Sequence, residues 1–447
     1  MLQVERRFSK KGLKKLIIPL IIEQLLAVTV GFADTIMVSS VGETAVSAVS
    51  LVDTINILLI NIFAALGTGG SVVAAQFIGQ DSRKEARESG KQLILITGLL
   101  SVVIMIICLL LNGPLLSCIF GSVDYHVMEG AKTYFFVTAI SYPFIGLYNS
   151  GAALFRAMGN SKISMVNATI MNIINIILNA VFIFGFGLGV FGAAFATLIA
   201  RIVTSILILI MLKNRKNIIY INNYHSFKWN WFYIKKILFI GIPSGLENGM
   251  FQLGKILVQS LIATFGTYAI AANAVSNNIA QMMIIPGSAI GLSLITIVGQ
   301  CVGADEYDQA KFYVKKLMKM TYIWMGIISI LAVILCPELL KLYSLSKEST
   351  ELAKKCIWIH GIFGMIIWPI AFTLPNALRA ANDAKYTMIV SICSMWTCRY
   401  LLSFALGRYL ALGLVGVWLA MIVDWFIRSF FFIYRYHSGK WQNRKLV

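Results

Sequence analysis

Long apolar runs separated by short polar segments dominate the chain. They fall at about 14–40, 50–77, 92–112, 133–153, 163–186, 190–212, 237–262, 272–299, 317–336, 356–377, 386–407 and 411–434. A run of roughly 20 apolar residues crosses a bilayer as a helix. The pattern predicts an all-α integral membrane protein of about twelve transmembrane helices.

The pattern also repeats. Ile18-Pro19-x-x-x-Glu23 returns as Ile242-Pro243-x-x-x-Glu247, 224 residues later, and Gly42 returns as Gly266. Gln76-x-x-Gly79 matches Gln300-x-x-Gly303, and Gly189-x-x-Gly192 matches Gly413-x-x-Gly416. Leu154-Phe155-Arg156-Ala157 matches Ala377-Leu378-Arg379-Ala380. Matches in one order along the chain argue for an internal duplication. Each half holds about six spans, an even number, so both halves enter the membrane from the same side. The expected architecture is two six-helix lobes related by a pseudo-two-fold axis along the membrane normal. The expected divisions are an N-lobe at 1–213, a linker at 214–236 and a C-lobe at 237–447. Two such lobes around a central cavity suit alternating access.

Charge sets the orientation. The chain is 58% hydrophobic and 13% charged, with a formal charge of +19. About 28 basic residues fall at the N-terminus and in even-numbered gaps, against six in odd-numbered gaps. By the positive-inside rule both termini and the linker are cytoplasmic, and the loop near Ser346 is outside. The basic excess therefore reads as topology rather than nucleic-acid binding. The basic N-terminus is expected to precede an uncleaved first span, in the cell membrane. Lys228, Trp229, Trp231, Lys235 and Lys236 suggest a segment lying at the interface.

Polar residues inside the spans carry the candidate chemistry, because an acid in hydrocarbon costs about 2.5 kcal/mol or more. The first span holds Glu23, Gln24 and Asp34. Eleven residues put the two acids on one helix face, about 16 Å apart along the axis. The fifth span carries Asn172, Asn175 and Asn179 on one face, and the sixth carries Thr197 and Arg201. Asp34, Asn175, Asn179 and Thr197 offer oxygen ligands for a small hard cation, Na+ being one. Glu23 and Glu247, each four residues after a proline, are read either as partners of a backbone group or arginine, or as handlers of substrate or protons. Asn248, Gln252, Lys255 and Gln259 form a polar stripe on the seventh span, answered by Asn273, Asn277 and Gln281 on the eighth. These residues, with Glu23, Gln24 and Glu247, are the expected substrate cavity. Lys255 needs a carboxylate, and Glu23 or Asp34 is the expected partner. Arg201, Arg399 and Asp424–Arg428 are expected in internal ion pairs.

Other chemistry is not signalled. The seven cysteines and four histidines show no disulfide framework or metal-ligand spacing. Gly67-x-Gly69-Gly70 lies inside an apolar run and reads as close helix packing rather than a phosphate loop. No nucleophile–base arrangement is present, so an enzyme is not expected, and neither is a cofactor.

Two six-span halves, Gly31-Phe32-Ala33-Asp34-Thr35-Ile36-Met37 and the Leu154–Asn160 segment resemble the MATE family, the multidrug and toxic compound extrusion transporters. The resemblance implies a cation-coupled antiporter, using Na+ or H+, that exports small amphipathic organic cations. It places the N-lobe cation site at Asp34, Asn175, Asn179 and Thr197, and a monomer in the lipid bilayer is expected. One branch of the family carries further acids where this chain has Gln252 and Trp368, so Asp34 is the expected coupling residue. The alternative is a flippase of lipid-linked precursors from the same wider superfamily, which calls for a strongly cationic cavity.

Overall fold

The computed structural model describes residues 6–121, 123–222, 228–343 and 345–444. Residues 223–227 of the expected linker and the basic Lys445 lie outside that description.

Helices form throughout because hydrocarbon offers backbone groups no other partner. The first half runs α1 (Lys10–Ser39), α2 (Glu43–Gly79), α3 (Arg83–Leu110), the short α4 (Asn112–Phe120), α5 (Tyr125–Ile140), α6 (Tyr142–Ala157), α7 (Ser161–Asn179) and α8 (Gly189–Leu212). A π-helical segment, Ala180–Gly185, follows α7. The second half runs α9 (Trp231–Ala263), α10 (Thr267–Gly303), α11 (Tyr307–Ile334), the short α12 (Cys336–Lys341) and α13 (Lys347–Trp368). It continues through α14 (Leu374–Ala380), α15 (Ala384–Ser394), the single turn α16 (Leu402–Phe404) and α17 (Gly413–His437), with π-helical turns between. Among the described residues ten helical stretches are long and apolar enough to cross a membrane. The other two expected spans are present as α5 joined to α6 at Ser141, and as α9.

The duplication extends to the backbone. Gly42 (φ 130°) and Gly266 (φ 102°) precede α2 and α10. Asp81 and Asp305, also 224 apart, share a φ of 56°, and Gly187 (φ 65°) is echoed by Ala411 (φ 54°). A left-handed residue at the same place in both halves marks one inherited turn, since such conformations cost L-residues energy.

The chain divides into two compact units, but not at its loops. One is Lys10–Gly245; the other is Met1–Ser9 with Leu246–Val447. The chain thus changes unit between Ser9 and Lys10, and again inside α9.

In the first unit, α2 is the central packed helix, against α3, α5 and α6, while α1 lies on α7. Its glycine cluster packs as expected: a Cβ on Gly69 would meet Ile237 O of α9 at 2.4 Å, and one on Gly70 would meet Leu93 of α3 at 2.3 Å. The segment leading into α9 is held by α3. Gln92 Nε2 donates to Lys228 O at 2.7 Å, Asn230 N donates to Gln92 Oε1 at 3.1 Å, and Tyr233 donates to Glu85. Trp229 and Trp231 stack on each other and remain about half exposed, as interfacial tryptophans do.

In the second unit α11 does the equivalent for the segment leading into α1. Arg7 N donates to Gln309 Oε1 at 3.1 Å and its guanidinium pairs with Glu306 at 3.2 Å. Phe8 N donates to the Tyr313 hydroxyl, which donates back to Phe8 O, and the two rings meet edge to face. Each half of the chain therefore anchors the lead-in segment of the other. Inside this unit Trp368, at one of the positions that lacks an acid, is buried and stacked on Phe372. A Cβ on Gly287 would meet its ring at 2.3 Å, so the indole fills the space that this glycine leaves.

Candidate functional site

In the first unit, helix periodicity turns both acids of α1 toward α7. Near the start of α7, Glu23 takes Arg156 at 3.2 Å and the Ser164 hydroxyl at 2.7 Å. At the far end, Asp34 takes the side chain of Asn179 at 2.8 Å. Asn179 Nδ2 also donates to Asn175 Oδ1 at 3.2 Å, and Asn175 Nδ2 donates to Thr197 Oγ1 at 3.1 Å. The four expected cation-site residues form one hydrogen-bonded line across α1, α7 and α8. Asn172 is buried on the same face of α7 but is outside that line.

The line opens on a cavity of about 110 Å³ whose lining includes Asp34, Ser50, Asp53, Tyr134, Asn179 and Thr197. Asn179 is 1% exposed, and its Oδ1 has no hydrogen-bond partner among the described residues. An orphaned buried carbonyl beside a carboxylate suits a cation. A proton could sit on Asp34, and Na+ could be met by Asp34, Asn179 Oδ1 and Thr197 Oγ1.

Asp53 is a second acid in this cavity, and the sequence reading missed it. It accepts from Asn56 Nδ2 at 3.1 Å and from the Tyr134 hydroxyl at 3.4 Å. Its signal was available: an acid three residues inside an apolar run. Arg201 makes no ion pair among the described residues. It donates to Ser141 Oγ at 2.6 Å, within electrostatic reach of Asp34 and Asp53.

The second unit repeats the first motif and drops the second. Glu247 pairs with Arg379 at 2.7 Å and takes the Thr387 hydroxyl at 3.5 Å, the counterparts of Arg156 and Ser164. Deeper in, the polar stripe forms a pocket lined by Lys255, Gln259, Asn273, Asn277, Arg399 and Trp418, with apolar neighbours. Asn248 and Gln252 on α9 and the exposed Gln281 on α10 do not line it, and neither Gln24 nor Glu23 belongs to this unit. Arg428 pairs with Asp424 at 2.9 Å as expected. Arg399 does not: its guanidinium lies 5.3 Å above the Phe251 ring. Lys255 also has no ion pair among the described residues. The expected partner Glu23 is held by Arg156, and Asp34 is bonded to Asn179. His360 is buried against Trp418 and Trp425, and no group of three potential metal ligands among His, Cys, Asp and Glu occurs among the described residues. All seven cysteines are free.

The chain resembles known proteins along nearly its whole length. It is 30% identical over 442 residues to the uncharacterized transporter YisQ of Bacillus subtilis, covering 96% of this chain and 94% of that one. It is 25% identical to a probable multidrug resistance protein NorM of Thermotoga maritima, covering 98% and 94%. The fold matches the outward-facing structure of a multidrug resistance MATE family transporter with a TM-score of 0.91, 22% identity and 98% coverage of both chains. The sequence profile of the MatE family matches twice, over residues 19–181 and 243–405, so each half carries one copy and the chain belongs to the MATE family of multidrug efflux transporters.

Proposed function

We propose that the protein is an antiporter that couples inward movement of Na+ or H+ through Asp34 to export of amphipathic organic compounds, organic cations among them. The observation that carries this reading is the line Thr197–Asn175–Asn179–Asp34, which ends on a carboxylate beside an unpartnered buried carbonyl. Only a species that binds differently in two states can drive a transition between them. A cation neutralising Asp34 changes the hydrogen bonding of α1 to α7, which gives it that leverage. Two acids, Asp34 and Asp53, line this cavity with one cation, Arg201, in electrostatic reach of both. Both termini face the cytoplasm in this reading, since the basic segments flank the spans on that side.

The test is transport of a fluorescent organic cation in membrane vesicles, first under an imposed sodium gradient and then under a proton gradient. One of the two gradients should drive the dye, and Asp34→Asn should abolish that coupling while the protein still inserts. Normal gradient-driven transport by Asp34→Asn overturns the reading.

A further inference from the structure

The Lys255–Arg399 pocket is chemically the opposite of the Asp34 cavity. Both cations line it, and they are close enough to repel one another. Neither has an ion-pair partner among the described residues. Glu247, on the helix of Lys255, and Asp424, on α17 within electrostatic reach of Arg399, are already committed. Glu247 holds Arg379, and Asp424 holds Arg428 and the Ser394 hydroxyl. Two like charges facing one polar recess in a membrane protein are costly unless something negative joins them.

One amide of the pocket is set to donate. Trp418 Nε1 donates to Asn273 Oδ1 at 3.0 Å, which fixes that amide so that Asn273 Nδ2 donates to Gln259 Oε1 at 2.9 Å. The Gln259 carbonyl is then occupied, and its Nε2 is left as a donor without an acceptor among the described residues. Asn277 Nδ2 is turned away, donating to Asn273 O at 2.9 Å. The pocket therefore offers an ammonium, a guanidinium and one amide N–H, against a single side-chain amide acceptor, Asn277 Oδ1. Around these lie Val258, Ile262, Val417, Trp418 and Met421, an apolar wall suited to a ring or alkyl body. A guanidinium and an ammonium meet the two oxygens of a carboxylate well, and the wall favours an organic anion over a strongly hydrated inorganic one.

We propose that this pocket binds the carboxylate of an amphiphile, so that the exported compounds include aromatic or alkyl carboxylates, zwitterionic where they also carry an amine, beside the organic cations. The transport part rests on the antiport reading above; binding to the pocket does not.

Binding is measured by isothermal titration calorimetry on the whole protein in nanodiscs, with empty nanodiscs as blank and 2-naphthoate and 2-naphthamide as probes. The protein should bind the carboxylate at least tenfold more tightly than the amide. Lys255→Gln and Arg399→Gln should erase that preference, and Lys255→Arg should retain it, which separates lost charge from lost fold. Equal binding of the two probes overturns the proposal, as does a preference that survives both Gln variants. Displacement of 2-naphthoate by an equal concentration of chloride also overturns it, since the site would then serve small inorganic anions. Gradient-driven transport of the cationic dye is scored separately. Its absence with the carboxylate preference intact defeats the antiport reading and leaves the pocket assignment standing; the opposite pair of results defeats only the pocket.

Discussion

Asn179 donates to Asp34 Oδ1 at 2.8 Å, while its own buried side-chain oxygen has no hydrogen-bond partner among the described residues. An unmet buried acceptor costs about 1–3 kcal/mol. It persists here in a helix whose register is disturbed immediately afterwards by the π-helical turn Ala180–Gly185, and such turns gather at functional sites.

Asn179→Ala removes both the donor to Asp34 and the orphaned acceptor. The ion concentration for half-maximal dye transport should rise about tenfold, on the order of 1.4 kcal/mol. Asp53→Asn removes only a neighbouring charge and should raise it less, with coupling retained. Transport titrated against Na+ and against pH reads both variants, and an unchanged titration for Asn179→Ala defeats the assignment.

The Glu247–Arg379 pair should be structural. Its side chains are 9% and 14% exposed, respectively. Removing one partner from a buried pair strands the other at a cost of about 3–5 kcal/mol; the residual solvent contact puts Arg379→Gln near about 3 kcal/mol. The double variant Glu247→Gln/Arg379→Gln should recover much of that loss. Thermal unfolding of the purified proteins in one detergent checks the order: parent, double variant, then Arg379→Gln.

Gly69 and Gly67 should respond differently to alanine. A Cβ at Gly69 collides with the backbone of α9, whereas at Gly67 the nearest atoms stand at 3.4 Å. Overpacking costs about 1–3 kcal/mol, so Gly69→Ala should lower the unfolding temperature by several degrees and Gly67→Ala should leave it close to the parent. Equal melting of the two variants would show that α9 yields at this crossing.

Much of this was legible in the chain. An offset of eleven positions between two acids on one helix placed Glu23 and Asp34 on the same face, and the structure turns both to α7. The spacing of Asn175 and Asn179 fixed their common direction, and the repeat at offset 224 anticipated two equivalent glutamates. What periodicity does not encode is which charge meets which. Within its own unit Lys255 shares a pocket with Arg399 and meets no acid among the described residues, while Arg156 takes Glu23. Asp53 stands three residues into an apolar run, enough to mark it as an acid within a span but not to say what it faces. Only the packing of α5 on α2 brings Tyr134 to it and makes it part of the cavity.

The exchange of lead-in segments has a consequence in time. Phe8 and the Tyr313 hydroxyl that holds it are 305 residues apart. At about 5–20 residues synthesised per second, Phe8 waits on the order of 15–60 s after its own synthesis for the tyrosine that receives it. The segment leading into α9 finds α3 already made. Folding of the second crossing can thus proceed as the chain emerges, while the segment leading into α1 must wait for α11 before it can settle.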